Sequence, residues 1–281
     1  MKILNTIKEA RGYLNEIRSK GLSIGFVPTM GALHEGHLSL IREAKKENDF
    51  VVCSIFVNPV QFNNEADLKK YPREIESDIK KLKKEKCDLL FHPSAEEMYP
   101  EPDNTKFDFG DPDKVMEGKF RPGHFNGVAV VVKKLFEIIE PARAYFGLKD
   151  YQQLVIIHKL TKDYNLPVEI VPCPIIREEN GLAMSSRNEF LSESEKKQAS
   201  LIYLTLKRVK IQSGFATISE LKESVFRQFK KSKTMKLEYF EIVDLYSLKP
   251  LRTWTESNNI IACIAVYIGK VRLIDNIILF S

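Results

Sequence analysis

A chain of 281 residues, 43% hydrophobic and 29% charged, is long enough to bury one large core or two smaller ones, and its composition fits no disorder class. Its apolar runs near 50–57 and 260–268 are too short or too broken to span a bilayer, and the amphipathic N-terminus lacks the apolar region of a signal peptide, so neither a membrane nor export is expected. The formal charge of +5 is mild and the lysines are spread over helix faces without interleaved aromatics, so nucleic acid is not an expected partner.

The N-terminal 3–19 predicts a helix leading into a strand at 22–27, where a short apolar run stands between Gly21 and Pro28. A helix over 37–47 returns to 49–58, an almost unbroken apolar strand of the kind buried on both faces of a parallel sheet. A polar loop at 59–68, a charged helix at 73–86 and a third apolar strand at 88–92 follow. The stretch 93–124 is rich in Pro, Gly and Asp, with a strand-like 107–109, and reads as a lid or a surface packed against a neighbouring subunit. Alternation then resumes: helix 127–139, strand 142–146, helix 150–164, strand 168–172. After a polar connector come helices at 193–210 and 219–231 and strands at 237–243, 260–268 and 271–279, the last two joined as a hairpin at Gly269–Lys270. The pattern predicts an α/β fold, a doubly wound parallel Rossmann-like sheet over 1–175, with a smaller α+β C-terminal domain over 176–281. Cys53, Cys87, Cys173 and Cys263 form no C-x-x-C pair and read as reduced core thiols, which makes the cytoplasm the default location.

Chemistry concentrates where strands end. In VPTMGALHEGHL, residues 27–38, a glycine-bearing turn joins a buried strand to a helix start that carries His34 and His37. The first N–H groups of a helix lack internal partners and sit at the positive end of its dipole, which suits phosphate. Imidazoles add donors that titrate near neutrality. A metalloprotease zinc site needs histidines four apart with Glu directly after the first. Here they are three apart with no further His or Cys cluster nearby, so no protein metal ligands are expected. In GLKDYQQ, residues 147–153, Gly147 permits close backbone approach, Lys149 suits phosphate and Asp150 suits ribose hydroxyls or a helix start. In MSSRN, residues 184–188, two hydroxyls and a guanidinium supply phosphate donors. Gln61 and Gln153 are neutral amides at strand ends, suited to a small molecule's hydroxyl and carboxylate oxygens. Each stretch taken alone also reads as a plain turn, N-cap or solvated face.

The H-x-G-H spacing of His34, Gly36 and His37 resembles the signature of the nucleotidylyl-transferring α/β superfamily, whose two histidines face the ATP phosphates. The ordered set PTMGALHEGH, SIFVNPVQF, YPR, RPGHFNGV, FGLKDYQQL and GLAMSSRN is similar to the pantothenate synthetase (pantoate–β-alanine ligase) family over essentially the whole chain. The resemblance implies a nucleotide-binding α/β domain, a C-terminal domain acting as a lid, and a homodimer. It also implies ATP-dependent ligation of (R)-pantoate and β-alanine through an enzyme-held acyl adenylate, with release of AMP and pyrophosphate and with Mg2+ accompanying ATP.

The resemblance carries site roles onto matching residues. Met30, Gly31, Ala32, Leu33, His34, Glu35, Gly36 and His37 match the ATP loop; Gly147, Leu148, Lys149 and Asp150 match the adenosine and phosphate loop. Ile176 matches an adenine-contacting backbone position, and Met184, Ser185, Ser186 and Arg187 match a mobile phosphate loop. Gln61 and Gln153 match the pantoate amides, Gln61 also lying near β-alanine. His37, His34, Lys149, Ser185, Ser186 and Arg187 are the expected charge stabilisers of the reaction. Leu148 departs from the family, which commonly has Glu there. His124 either approaches the same cleft or orders the long loop. Alternative chemistries for the same histidines are a nucleotidylyltransferase, a tRNA-charging enzyme and a non-catalytic nucleotide sensor.

Overall fold

The computed structural model describes residues 1–62, 68–69 and 71–281. The chain divides into two compact units, one made of Met1–Phe109, Arg121–Leu148 and Ile156–Pro174, the other of Gly110–Phe120, Lys149–Val155 and Ile175–Ser281.

The first unit is built on a six-stranded parallel sheet, β1 (Lys2–Leu4), β2 (Ile24–Thr29), β3 (Phe50–Ile55), β4 (Leu89–Phe91), β5 (Arg143–Gly147) and β6 (Glu169–Cys173), in the order β1-β4-β3-β2-β5-β6. This is the Rossmann-like α/β arrangement. The central strands are apolar throughout because helices cover both faces, which removes the alternation a half-exposed strand would show. Helix α1 (Ile7–Ser19) turns Ala10, Leu14 and Ile17 inward, a spacing of four and three that puts them on one stripe, and Thr6 caps it. Helix α2 (Glu35–Glu47) does the same with Leu40, Ile41 and Ala44. Helix α3 (Ile75–Lys84) buries Asp78 and Leu82, and α4 (His124–Ile139) is apolar almost all round and mostly buried. Helix α5 (Tyr151–Asp163) stands between β5 and β6 in the chain.

The sequence-based expectation differs from the structure at two places. Residues 2–4 form a strand, not the start of a helix: Lys2, Ile3 and Leu4 pair with Leu89, Leu90 and Phe91. Three residues carry no period of their own, so only the sheet edge they complete identifies them. Residues 107–109 are not a strand. The rings of Phe107 and Phe109 stack at 5.8 Å and the Phe107 N–H is held by Asn126 Oδ1 (2.9 Å), so the aromatic alternation serves packing and not pairing. The loop expected over 59–68 opens with a 3₁₀ turn at Pro59–Gln61, and its positions 63–67 lie outside the described residues.

The second unit carries an antiparallel sheet, β7 (Met235–Asp244), β8 (Ile260–Ile268) and β9 (Val271–Phe280), in that order, with Gly269 (φ 55°) in the β8–β9 hairpin. Helix α6 (Glu193–Gln212) and helix α7 (Ile218–Lys230) each begin with a capping box, Ser192 with Glu195 and Thr217 with Glu220. Their buried faces, including Leu206, Val209, Val225 and Phe229, pack with Ile242 and Ile264 of the sheet into one core. A buried ionic cluster ties the short helix Met116–Phe120 to this sheet. Arg272 on β9 donates to both oxygens of Glu117 (2.8 and 2.7 Å) and to Glu238 (2.8 Å), and Tyr239 Oη donates to Glu117 (2.9 Å). Burial alone would lower the Arg272 pKa, and the two carboxylates reverse this and hold it above the ordinary guanidinium value.

One close approach bears on the site. A Cβ on Gly127 of α4 would lie 2.6 Å from the Val60 carbonyl oxygen and 2.7 Å from Gln61 Cα, both backbone atoms of the 59–61 turn. Gly127→Ala must therefore push that turn off the helix. We expect it to destabilise the protein by about 1–3 kcal/mol, the usual cost of overpacking, read as a lowered urea midpoint with an unchanged slope.

Candidate active site

Strand order reverses between β2 and β5, and in open α/β sheets ligands sit at the carboxyl ends of the strands at such a point. The two strands separate early. β2 pairs with β3 over all six residues from Ile24 to Thr29, yet with β5 only at Gly25 and Phe26. Ala142 N–H donates to the Ile24 carbonyl (2.9 Å), so alternate residues 24, 26 and 28 direct their backbone groups toward β5. Pro28, which has no N–H, thus falls just past the last pair, where no ladder bond is lost.

Beyond Pro28 the chain makes a compact turn. Thr29 Oγ1 donates to the Ser54 carbonyl (2.8 Å) and accepts from Gly31 N–H (3.2 Å). Gly31 (φ 85°) and Ala32 (φ 49°) are both left-handed, an uncommon conformation for alanine. The Asp78 carboxylate, 1% exposed, receives the Ala32 and Leu33 N–H groups, each at 2.8 Å. Burial pushes the Asp78 pKa above the usual aspartate value, against the opposing pull of those N–H donors and Lys81. A cavity of about 330 Å³ lies beside this turn, lined in part by Met30, Gly31, Phe56, Val57, Asp78 and His92.

Helix α2 starts immediately after the turn, and the two histidines cap it. His34, with extended backbone, accepts the Gly36 N–H at Nδ1 (3.1 Å), while its own N–H reaches His37 Nδ1 (3.4 Å). The rings lie 4.1 Å apart. An Nδ1 that accepts cannot carry the proton of a neutral imidazole, so capping assigns that proton to Nε2 in both rings. Each is thereby oriented as an N–H donor at a helix N-terminus. Glu35 pairs with Arg42, which also binds Glu85 (2.9 Å).

Gln61 is buried and tightly placed. Its Oε1 accepts from Asn58 Nδ2 (3.2 Å) and its Nε2 donates to Met30 Sδ (2.9 Å), linking this amide to the turn that precedes His34. Asn58 also donates to the Gly127 carbonyl (3.0 Å) and accepts from Tyr99 Oη (2.9 Å). His124 orders this loop: its Nδ1 donates to the Gln61 carbonyl (3.0 Å) and its Nε2 accepts from Arg121 (3.0 Å), an arrangement that requires the neutral ring. Met30, His34, His37 and Gln61 therefore occupy one loop cluster of the first unit, with Gly147 at the end of β5 followed by Leu148.

The other expected site residues belong to the second unit. Lys149 and Asp150 form an ion pair (3.2 Å), and Asn276 on β9 holds the Lys149 carbonyl (3.0 Å). The neighbouring Asp275 is buried, which raises its pKa, and is opposed by the Arg177 guanidinium at 2.7 and 3.0 Å. The connector is a small hairpin turning at Gly181 (φ 89°), in which Met184 N–H donates to the Ile176 carbonyl (3.0 Å) and Arg177 bridges Ala183. Ser185 Oγ then caps the 3₁₀ turn Ser186–Phe190 by accepting the Arg187 N–H (3.3 Å). Ile176 and Met184–Arg187 are thus parts of one local structure. Of the adjacent glutamines at the start of α5, Gln152 is buried and holds the Pro112 and Val115 carbonyls, whereas Gln153 is partly exposed.

Asn58, Asp78, Lys81, Arg121 and the Asp275–Asn276 pair support these groups and were not singled out by sequence reasoning. Asn58 stands within VNPVQF, and Arg121 within RPGHFNG, so those two had a signal; Asp78 sits in an ordinary charged helix and had none.

The chain is similar to known proteins over essentially its whole length. The family model described as pantoate-β-alanine ligase matches residues 2–278. The chain is 47% identical to the pantothenate synthetase of Bacteroides thetaiotaomicron, over 99% of this chain and 98% of that one, and 49% identical to that of Phocaeicola vulgatus, over 99% of each. Among solved structures, pantothenate synthetase from Thermus thermophilus superimposes with a TM-score of 0.93 at 40% identity over 100% of both chains. The pantoate-β-alanine ligase of Francisella tularensis, complexed with β-γ ATP and β-alanine, gives 0.83 at 40% identity, covering 99% of this chain and 98% of that one. The chain belongs to the pantoate–β-alanine ligase family, the enzymes that use ATP to join pantoate and β-alanine into pantothenate.

Proposed function

We propose that this chain binds ATP, (R)-pantoate and β-alanine and makes pantothenate through an enzyme-held pantoyl adenylate. The observation that carries this reading is the pair of imidazoles whose Nδ1 atoms cap α2 and whose Nε2 protons are thereby oriented as donors. A carboxylate resists attack by an amine because oxide is a poor leaving group. Attack of the pantoate carboxylate on the α-phosphate expels pyrophosphate and gives a mixed anhydride, from which the β-alanine amine displaces AMP. The protein's work is to position the reactants and to neutralise developing negative charge.

In this reading His34, His37, Lys149, Ser185, Ser186 and Arg187 stabilise charge on the phosphates. Met30–His37, Gly147–Asp150, Ile176 and Met184–Arg187 bind ATP, and Gln61 and Gln153 hold pantoate, Gln61 also lying near β-alanine. Residues 1–175 act as the nucleotide and pantoate domain, 176–281 as a lid, and the enzyme works as a homodimer. The reading is supported by the helix-capping and hydrogen-bonded setting of His34, His37, Gln61 and Ser185 and by the ligands of the Francisella tularensis relative. The serines act as phosphate donors, not acyl carriers. Four buried free thiols suit a reducing compartment, and we assign the enzyme to the cytoplasm.

A magnesium ion fits this scheme through triphosphate oxygens and water: among the described residues no group of three or more His, Cys, Asp or Glu side chains is arranged to hold a metal. Bound with ATP, it would supply further neutralisation of the phosphates. Excess EDTA is expected to abolish AMP formation, added Mg2+ to restore it, and the apo-protein's melting temperature to stay unchanged throughout. Persistence of turnover in EDTA would remove the metal from the scheme.

The decisive assay is AMP formation, which should require both pantoate and β-alanine, together with pantoate-dependent ATP–pyrophosphate exchange in the absence of β-alanine. His37→Ala should lower that exchange by about 10²–10³-fold, the usual effect of removing one well-placed donor, while leaving the circular dichroism spectrum intact. Near wild-type exchange in the variant would withdraw His37 from its role.

A further inference from the structure

The backbone of Leu33, just before the imidazole pair, is gripped from a neighbouring helix at both its N–H and its C=O. Asp78 accepts the Leu33 N–H at Oδ1 and the Ala32 N–H at Oδ2, each at 2.8 Å. Lys81, one turn further along α3, donates to the Leu33 carbonyl at 2.6 Å. Leu33 itself is 1% exposed, and the next residue is His34, the N-cap of α2. With Ala32 and Leu33 buried, their N–H groups cannot turn to solvent and must find an acceptor within the protein. Here a carboxyl side chain is buried to receive them at both oxygens, and Gly31 passes so near that a Cβ there would lie 3.1 Å from Asp78 Oδ2.

We infer that Asp78 and Lys81 are positioning residues of the ligase reaction, a clamp that holds the left-handed Gly31–Ala32 turn and so sets where the His34 and His37 rings stand. The spacing makes the two act together. Residues three apart share one helix face, so α3 presents an acceptor and a donor side by side, complementary to the N–H and C=O of Leu33. Asp78 is the only one of the two that also addresses Ala32, whose φ of 49° requires outside support. A carboxylate can accept at both oxygens, whereas the Asn amide would turn an NH2 toward one of two N–H groups. The clamp touches none of the three substrates in this account; it acts through the turn.

The inference rests on the role proposed for His34 and His37, and its test separates the two. Asp78→Asn and Lys81→Met would be compared with wild type by circular dichroism, by the imidazole Cε1–Hε1 signals of His34 and His37, and by pantoate-dependent ATP–pyrophosphate exchange. We expect both variants to fold, both His signals to move, and exchange to fall at least tenfold in kcat for Asp78→Asn and several-fold for Lys81→Met, with smaller changes in KM. Folded variants whose His34 and His37 signals and exchange rates match wild type would overturn the clamp. If Asp78→Asn fails to fold, Lys81→Met decides alone, since it removes only the grip on the Leu33 carbonyl and keeps the aliphatic stem. Displaced His signals with unaltered exchange would confine the clamp to structure and overturn its part in the reaction, and absence of exchange in the wild type would refute the functional reading while the His signals still report on the clamp.

Discussion

The early parting of β2 from β5 is the constraint on which the rest depends. Two paired residues hold these strands together, and after Phe26 the ladder stops on that side while it continues to Thr29 on the other. Proline can stand at 28 because the backbone there faces the unpaired side. The gap at the switch point is where two chain ends emerge, one carrying the imidazole turn and the other carrying Gly147. A tighter pairing would close the crevice and require an N–H at residue 28.

Everything around that crevice serves to hold polar groups in one orientation. The imidazoles use Nδ1 to cap the helix, which leaves the tautomer with the proton on Nε2. Asn58 donates to the side-chain oxygen of Gln61 and Met30 accepts from its amide NH2, while His124, itself held by Arg121, donates to the Gln61 carbonyl behind it. Donors held in this way keep their orientation without relying on solvent, because each is fixed by a partner at its other end. In the second unit the same device appears in the Asp275–Arg177 pair and Asn276, which anchor the backbone at Lys149 and leave its ammonium to pair with Asp150.

The order of the elements was legible because the strands are buried on both faces and the helices on one, two patterns that differ in period and are hard to confuse over ten residues. The imidazole turn, GLKD and MSSRN were legible for another reason: their chemistry is carried by consecutive residues, so the motif and the local structure coincide. The hairpin joining Ile176 to Met184 lay within a polar connector, and its pairing follows from a turn at Gly181. Less visible were groups whose meaning is a contact. Nothing in IESDIKKLKK separates Asp78 from its solvated neighbours, and the helix reads the same whether that residue faces water or a buried turn.

Sequence alone therefore determined the α/β alternation, the C-terminal antiparallel strands and the residues that can carry charge-stabilising chemistry, since each is written in periodicity or in adjacent side chains. Only the tertiary structure decided that residues 2–4 are an edge strand, that Phe107 is held by Asn126 and not by a sheet, that His124 serves the Gln61 backbone, and that Asp78 with Lys81 grips the turn before His34. Those facts join residues 19 to 87 positions apart, and no local pattern can encode a partner that only folding brings into contact.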